Sequence, residues 1–212
     1  MTEQLSVATL DVADPTDAWT HAGFTVAADG SCHVGGVRIR LVGREAGTGI
    51  VGWALRGHRE FGGDLDGIPT TSAPDAVEPG ERAPQPNGVT GIDHVVLLTP
   101  DLARTVAALG AAGVAPRRER DARMAGRAIR QVFFRLGEVI VEVVGSPDVA
   151  DDGPSTLWGI TYVVTDLDAT AARFGDRTGP VKDAVQPGRR ITTLRHEAFG
   201  MSVRTALISA RQ

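Results

Sequence analysis

The chain repeats one order of elements three times, and repetition of this kind constrains the fold more than any single motif. Each copy opens with an apolar strand, continues with a short helix that starts on acidic residues, and closes with short strands separated by glycine-rich turns. The middle copy begins with GIDHVVLL and the last with LWGITYVV, whereas the first, which begins with SVATLDVA, is weaker. The sequence therefore predicts a fold of the α+β class, built from repeated strand–helix–strand–strand–strand units.

The helix of the middle copy carries the clearest start signals. Thr99 is a suitable N-cap, Pro100 fits the first helical position, and Asp101 lies where the helix dipole favours a negative charge. Gly110 and Gly113 are expected to end this helix. The last copy repeats the arrangement in TDLDATAARFG.

The three copies divide the chain into predicted regions. Residues 1–57 form an N-terminal unit, residues 58–88 a linker, and residues 89–212 two paired units. The linker prediction depends on a high content of glycine and proline and on few apolar residues. Its prolines are Pro69, Pro74, Pro79, Pro84 and Pro86. An alternative for this segment is a lid over a pocket.

Composition excludes several classes of function. The formal net charge is -4, which offers no electrostatic surface for nucleic acid. There is no apolar run of transmembrane length, and the acidic start MTEQLSVATLDVADP lacks the features of a signal peptide, so a cytoplasmic location without membrane contact is expected. The single cysteine, Cys32, is expected to be an unreactive small residue on a strand.

The unit that opens with x-H-V-V-L-x-x-x-D-L resembles the vicinal oxygen chelate superfamily, over residues 89–209 and with a weaker match over 5–57. That superfamily includes glyoxalase I, extradiol dioxygenases and bleomycin-binding proteins. The resemblance implies that paired units form a half-open, cup-shaped mixed sheet with helices on its convex side. It also implies that metal ligands come from the first and last strands of each unit and point into the cup.

Carried over position by position, the resemblance gives an incomplete set of metal ligands. His94 matches the ligand of the first strand, and Glu142, in VIVEVVG, matches the ligand of the last strand. The corresponding positions of the last unit hold Gly159 and Thr205, neither of which is a family ligand. The resemblance implies one divalent metal on His94 and Glu142, with no metal as the alternative. His196–Glu197 is the one other adjacent histidine–acid pair that could complete the set if it faced the cup.

His94 and Glu142 can also be interpreted without a metal. Strand periodicity places His94 with Val96 and Leu98 on one face, and Asp93 on the other. The two residues could exchange protons with a carbonyl or enol-type substrate, or His94 could be a buried histidine hydrogen-bonded to Glu142. A carboxylate among valines is costly to bury alone, so Glu142 is expected to have a partner.

Further ligand-binding candidates lie on neighbouring strands. Gln131 and Arg135 share one strand face, and an arginine there suits a planar anion. Gly159 and Thr161 are small and are expected to leave room for a ligand in the cup, and Thr205 is a further ligand-binding candidate. Arg189 and Arg190, beside Gly188, are instead expected to be solvated charges at a turn.

Two functional classes follow from these residues. One is an enzyme of the lyase, isomerase or dioxygenase-like type, with His94 and Glu142 as metal ligands or as an acid/base pair. The other is a metal-free protein that binds or sequesters a small molecule without catalysis. Because three units cannot all pair two by two within one chain, a homodimer is also expected.

Overall fold

The computed structural model describes residues 5–57, 63–74, 83–124 and 126–211 of the chain. Fourteen strands and three α-helices occur in these residues. The strands are β1 Ser6–Val12, β2 Ser31–Val34, β3 Val37–Leu41, β4 Ile50–Arg56, β5 Gly63–Leu65, β6 Ile68–Ser72, β7 Val89–Leu98, β8 Pro116–Met124, β9 Arg127–Leu136, β10 Val139–Gly145, β11 Thr156–Val164, β12 Lys182–Asp183, β13 Arg190–Leu194 and β14 Arg204–Ser209. The helices are α1 Thr16–His21, α2 Leu102–Ala111 and α3 Leu167–Phe174.

The middle and last copies both adopt the predicted strand–helix–strand–strand–strand arrangement. In the middle unit the sheet order is β7-β10-β9-β8, and β7 runs parallel to β10. The last unit repeats this order as β11-β14-β13-β12, again with its first and last strands parallel. The two units meet where β7 pairs antiparallel with β11. The α+β fold class and the open, curled sheet predicted from the sequence are confirmed.

The N-terminal part of the chain differs from the single unit that the sequence predicts. β1 runs parallel to β3, which pairs with β2, so this unit ends at β3. β4 runs antiparallel to β1 and instead opens a further group, in which β4 is parallel to β6 and β6 pairs with β5. The antiparallel β1–β4 pair therefore corresponds to the β7–β11 pair, and the chain contains a small N-terminal module beside the larger C-terminal one.

The second N-terminal group changes two expectations. β5 and β6 lie within residues 58–88, so the described residues 63–72 are part of the sheet, where the sequence favoured a linker. Residues 58–62 and 75–82 of that predicted linker lie outside the described residues. Since β1 finds its partner β4 within the same chain, the pairing argument for a homodimer fails, and the homodimer stays a prediction without that support.

Alternation along the strands separates a core face from an open face. Val95 and Leu97 on β7 and Val141 and Val143 on β10 are fully buried, and they share a core with Leu109 of α2. Helices α2 and α3 accordingly cover the convex side. Each begins at an aspartate whose side chain accepts a backbone N–H, so Asp101 is the N-cap of α2, where the sequence favoured Thr99.

No helix in the described part of the chain is long and apolar enough to cross a membrane. The cytoplasmic location stays a prediction.

Candidate functional site

The open face of the C-terminal module encloses a cavity of about 670 Å³. Such a volume suits a small-molecule ligand. Strands β7, β8, β9 and β10 form one wall, and β13, β14 and the loop between β12 and β13 form the other. The lining residues are His94, Arg117, Arg118, Arg120, Gln131, Phe133, Phe134, Arg135, Ile140, Glu142, Ala184, Val185, Gln186, Pro187, Gly188, Arg189, Ile191, Ile208 and Arg211.

The structure brings four of the seven candidate residues together in this cavity. His94, Glu142, Gln131 and Arg135 line it, whereas Gly159, Thr161 and Thr205 do not. Thr161 lies directly across from His94 on the adjacent strand and is buried. Gly159 is held close to the backbone of β14, where an added Cβ would come within 2.8 Å of the Arg204 carbonyl oxygen.

Thr205 is not the counterpart of Glu142. In the middle unit Glu142 pairs with Val96, two residues after His94. In the last unit the residue two after Gly159 is Thr161, which pairs with Ala206. Because successive strand residues point to opposite faces, Thr205 is displaced by one position from the site expected for it. It is buried, and its hydroxyl donates to the Val203 carbonyl oxygen.

A β-bulge turns Asp93 toward His94. Thr161 pairs with His94 and Tyr162 pairs with Ile92, so Asp93 is an extra residue on its strand. A bulge redirects side chains that simple alternation would place on opposite faces. The His94 Nδ1 atom lies 2.8 Å from a carboxylate oxygen of Asp93. The alternation that separated Asp93 from His94 in the sequence analysis is therefore wrong at this position.

Arg189 is the second charged partner of the Asp93 carboxylate. Its guanidinium donates to Asp93, to the Gln186 side chain and to the Ser209 carbonyl oxygen, and only 4% of its side chain is exposed. The Gln186 amide also donates to Asp93, over 3.3 Å. The expectation of a solvated charge at a turn is wrong for Arg189, because its side chain is buried and paired with the Asp93 carboxylate. Arg190 does lie at the surface, paired with Asp168.

The surroundings of Asp93 keep it ionised. Burial alone raises the pKa of this carboxyl group, but the hydrogen bonds from His94 and Arg189 and the positive charge of the guanidinium outweigh burial and hold the pKa well below its ordinary value. An ionised Asp93 accepts the Nδ1 hydrogen of His94. The Nε2 atom of a neutral His94 is then the nitrogen with a free lone pair.

Glu142 stands on the Nε2 side of His94. Its Oε2 atom is 3.6 Å from His94 Nε2, and both side chains are largely buried. Its Oε1 atom accepts a hydrogen bond from the Gln131 amide, and Gln131 accepts one in turn from Arg120 Nε, over 2.8 Å. Glu142 thus has the partner that the sequence analysis required.

These contacts form one polar row across the sheet. The row runs through Arg120, Gln131, Glu142, His94 and Asp93 on four adjacent strands, and ends at Arg189. Asp93, Arg120 and Arg189 were not predicted from the sequence as residues of the site. The sequence did contain one indication for Asp93. An acidic residue on the core-facing side of an apolar strand needs a buried partner.

The donors in the cavity do not fit the metal centre that the resemblance implies. Within the described ranges, no group of three or more histidine, cysteine, aspartate or glutamate side chains is placed to hold one ion. Asp93 is paired with Arg189, and in the last unit the positions that match His94 and Glu142 hold Gly159 and Ala206, neither of which has a side chain that can bind a metal. His196 and Glu197 lie in a short 3-10 turn and do not line the cavity. Two donors among arginines are a poor site for a divalent cation.

The fold and the cavity define a class: paired strand–helix–strand–strand–strand units around an open small-molecule cup. The sequence model of the glyoxalase/bleomycin resistance protein/dioxygenase superfamily matches residues 93–193. The matched segment lies within the C-terminal module, which is therefore similar to proteins of the vicinal oxygen chelate superfamily. No curated protein sequence matches the chain significantly.

Solved structures share the whole fold at low sequence identity. A mutant of 4-hydroxymandelate synthase from Streptomyces coelicolor is 16% identical with a TM-score of 0.63, covering 100% of this chain and 94% of that one. An extradiol ring-cleaving dioxygenase from B. fuscum is 12% identical with a TM-score of 0.59, covering 100% and 72%. A xylose isomerase-like TIM barrel/4-hydroxyphenylpyruvate dioxygenase fusion protein is 14% identical with a TM-score of 0.66, and this chain spans 49% of its length. At these identities the likeness concerns the fold alone.

Proposed function

We propose that the cavity binds a small anionic carbonyl compound and that His94 and Glu142 move a proton at the carbon beside its carbonyl group. The reaction class is that of a lyase or isomerase. The observation that supports this most directly is the orientation of His94, whose Nδ1 faces Asp93 and whose Nε2 faces Glu142 inside the cavity.

His94 is suited to accept the proton. The hydrogen bond to Asp93 fixes the tautomer that leaves Nε2 basic. After Nε2 takes a proton from the substrate carbon, the imidazolium lies between two carboxylates, which stabilise its charge. The electron pair left on the substrate forms an enolate, and Arg135, which lines the cavity level with His94 across strand β10, opposes its negative charge.

Glu142 is suited to pass the proton on. Its Oε2 is near enough to Nε2 for both groups to reach adjacent atoms of one substrate, and Gln131 holds its other oxygen. A proton removed from one carbon can then return to the neighbouring carbon or oxygen. This transfer conserves charge and atoms and requires no metal ion.

A carbonyl acid with an enolisable carbon tests the proposal. The probe is 2-oxo-4-phenylbutanoate in deuterated buffer, with proton NMR following the loss of the hydrogen signal at its carbon 3. The wild type is expected to accelerate exchange, and His94→Asn and Glu142→Gln are expected to remove the acceleration. Glu119→Gln, on the exposed strand β8 outside the cavity, is the matched control and should exchange like the wild type. Absence of acceleration by the wild type would contradict the proposal.

A second candidate is binding without catalysis. It is favoured by the contact between Glu142 and Gln131, because a carboxylate that already accepts an amide hydrogen can serve to shape a pocket. Under this alternative the probe binds in the cavity, and neither the wild type nor its variants accelerate exchange.

A further inference from the structure

Strand β8 presents three arginines to the cavity through a second β-bulge. Pro116 pairs with Phe134 and Arg118 pairs with Phe133, so Arg117 is the extra residue. The bulge allows the adjacent Arg117 and Arg118 both to line the cavity, and Arg120 joins them two residues later. Regular alternation would have turned one of the first two away.

Within the cavity lining, these arginines have little negative charge opposite them. Glu142 is the one acidic residue in the cavity lining, and it is engaged by Gln131. In the portion of the chain that the structure describes, no carboxylate forms an ion pair with Arg117, Arg118 or Arg211. The chain as a whole has a net charge of -4, so the positive cavity is a local feature. A cavity lined by one sign of charge concentrates counter-ions of the other sign.

The arginines are separated from the proposed reacting groups. Strands β10 and β9 lie between β7, which carries His94, and β8. With neighbouring strands about 4.8 Å apart, the backbone of β8 is roughly 14 Å from that of β7 along the sheet. Apolar side chains of Phe133 and Ile140 belong to the strands between them. The arginines of β8 are therefore expected to bind a part of the ligand other than its carbonyl group.

We infer that the ligand of this cavity carries a phosphate group, bound by Arg117 and Arg118, at the end of an apolar body that extends toward His94. This inference rests on the proposed function in so far as both use the same cavity. Guanidinium groups bind phosphate oxygens in pairs of parallel hydrogen bonds, and two arginines without a carboxylate partner match a phosphate dianion better than a carboxylate with a single charge.

Three phenyl compounds of similar shape test the charge preference. They are phenyl phosphate, phenyl sulfate and phenol, titrated by calorimetry into the full chain at pH 8. Phenyl phosphate is expected to bind about tenfold more tightly than phenyl sulfate, a difference of about 1.4 kcal/mol, with phenol weakest. Equal or tighter binding of the sulfate would overturn the inference.

Arginine variants locate the phosphate group. Arg117→Gln and Arg118→Gln are each expected to weaken phenyl phosphate binding by roughly tenfold, because each removes hydrogen bonds to a charged group. Arg123→Gln is the matched control, since Arg123 is exposed on the same strand and does not line the cavity. An equal loss in Arg123→Gln, or no loss in the other two variants, would show that the phosphate does not bind at this wall.

The experiments separate this inference from the proposed function. His94→Asn should bind phenyl phosphate as the wild type does, because His94 is remote from the arginines of β8. Arginine-dependent phosphate binding without proton exchange would contradict only the proposed reaction. Proton exchange without a preference for phosphate would contradict only the inferred ligand.

Discussion

Asp93 and Arg189 form a buried ion pair that joins strand β7 to the loop between β12 and β13. Their side chains are 6% and 4% exposed. The pair lies 96 residues apart in the chain, and it places a fixed carboxylate against His94 Nδ1. The same contact thus holds the cavity wall together and orients the proposed base.

Replacing Arg189 should destabilise the fold strongly. Arg189→Met keeps much of the side-chain volume but leaves the Asp93 carboxylate buried without its cation, which costs about 3–5 kcal/mol. The free energy of unfolding is measured by urea denaturation. The control is the neighbouring Arg190→Gln, whose exposed pair with Asp168 should contribute less than about 1 kcal/mol. Similar losses of unfolding free energy in both variants would contradict the role of Arg189 as the buried partner of Asp93.

The lowered pKa of Asp93 predicts an acid-dependent contribution to stability. A carboxyl group with a lower pKa in the folded state stabilises the protein fully above its unfolded pKa of about 3.9, and the contribution is lost as the pH falls below that value. The wild type should exceed Asp93→Asn in unfolding free energy at pH 6, and the difference should shrink as the pH approaches 3. Urea denaturation of both proteins at several pH values measures this difference in unfolding free energy. A difference independent of pH would count against an ionised Asp93.

Glu142→Gln should separate activity from stability. Gln keeps the volume and an acceptor for Gln131 but cannot relay a proton, so exchange of the 2-oxo-4-phenylbutanoate probe should fall by about a hundredfold or more. The unfolding free energy should change by less than about 1 kcal/mol, since the side chain retains a neutral hydrogen bond. Normal exchange together with a large loss of stability would identify Glu142 as a structural residue.

Asp66 is expected to fix the β5–β6 hairpin to the C-terminal module. Its buried carboxylate accepts hydrogen bonds from Arg104 and Thr105 on α2 and from Ser155. Asp66 has φ of 55°, which asparagine tolerates, so Asp66→Asn removes the charge with little backbone strain. The expected loss is about 2 kcal/mol. Asp64→Asn, an exposed change in the same hairpin, should stay within about 0.5 kcal/mol; a matching loss there would refute the role of Asp66.

Cys32 should resist thiol reagents in the folded protein. Burial raises the pKa of its thiol to about 12, and the thiolate is the reactive form. Ellman's reagent at pH 8 is expected to react slowly with the native chain and at once after denaturation in guanidinium. Rapid native reaction would show that Cys32 is accessible.

The residues of the C-terminal module determined much of the fold by themselves. Alternating apolar strands, aspartates at the helix starts and glycine turns are local features, so the two complete units could be recognised from the sequence. The same alternation put Gln131 and Arg135 on one face of their strand, and both line the cavity. The N-terminal unit was harder, because β4 resembles a closing strand, and only its antiparallel pairing with β1 shows that it opens a new group.

Tertiary structure decided the parts of the site that depend on long-range contacts. A bulge shifts strand register by one residue, and this shift turned Asp93 toward His94 and added Arg117 to the cavity wall. Arg189 looks like a turn residue in the sequence, and its burial follows from a carboxylate on a strand far away in the chain. Strand composition defines faces through local sterics, whereas the pairing that creates bulges and buried ion pairs arises only when the sheet closes around its cavity.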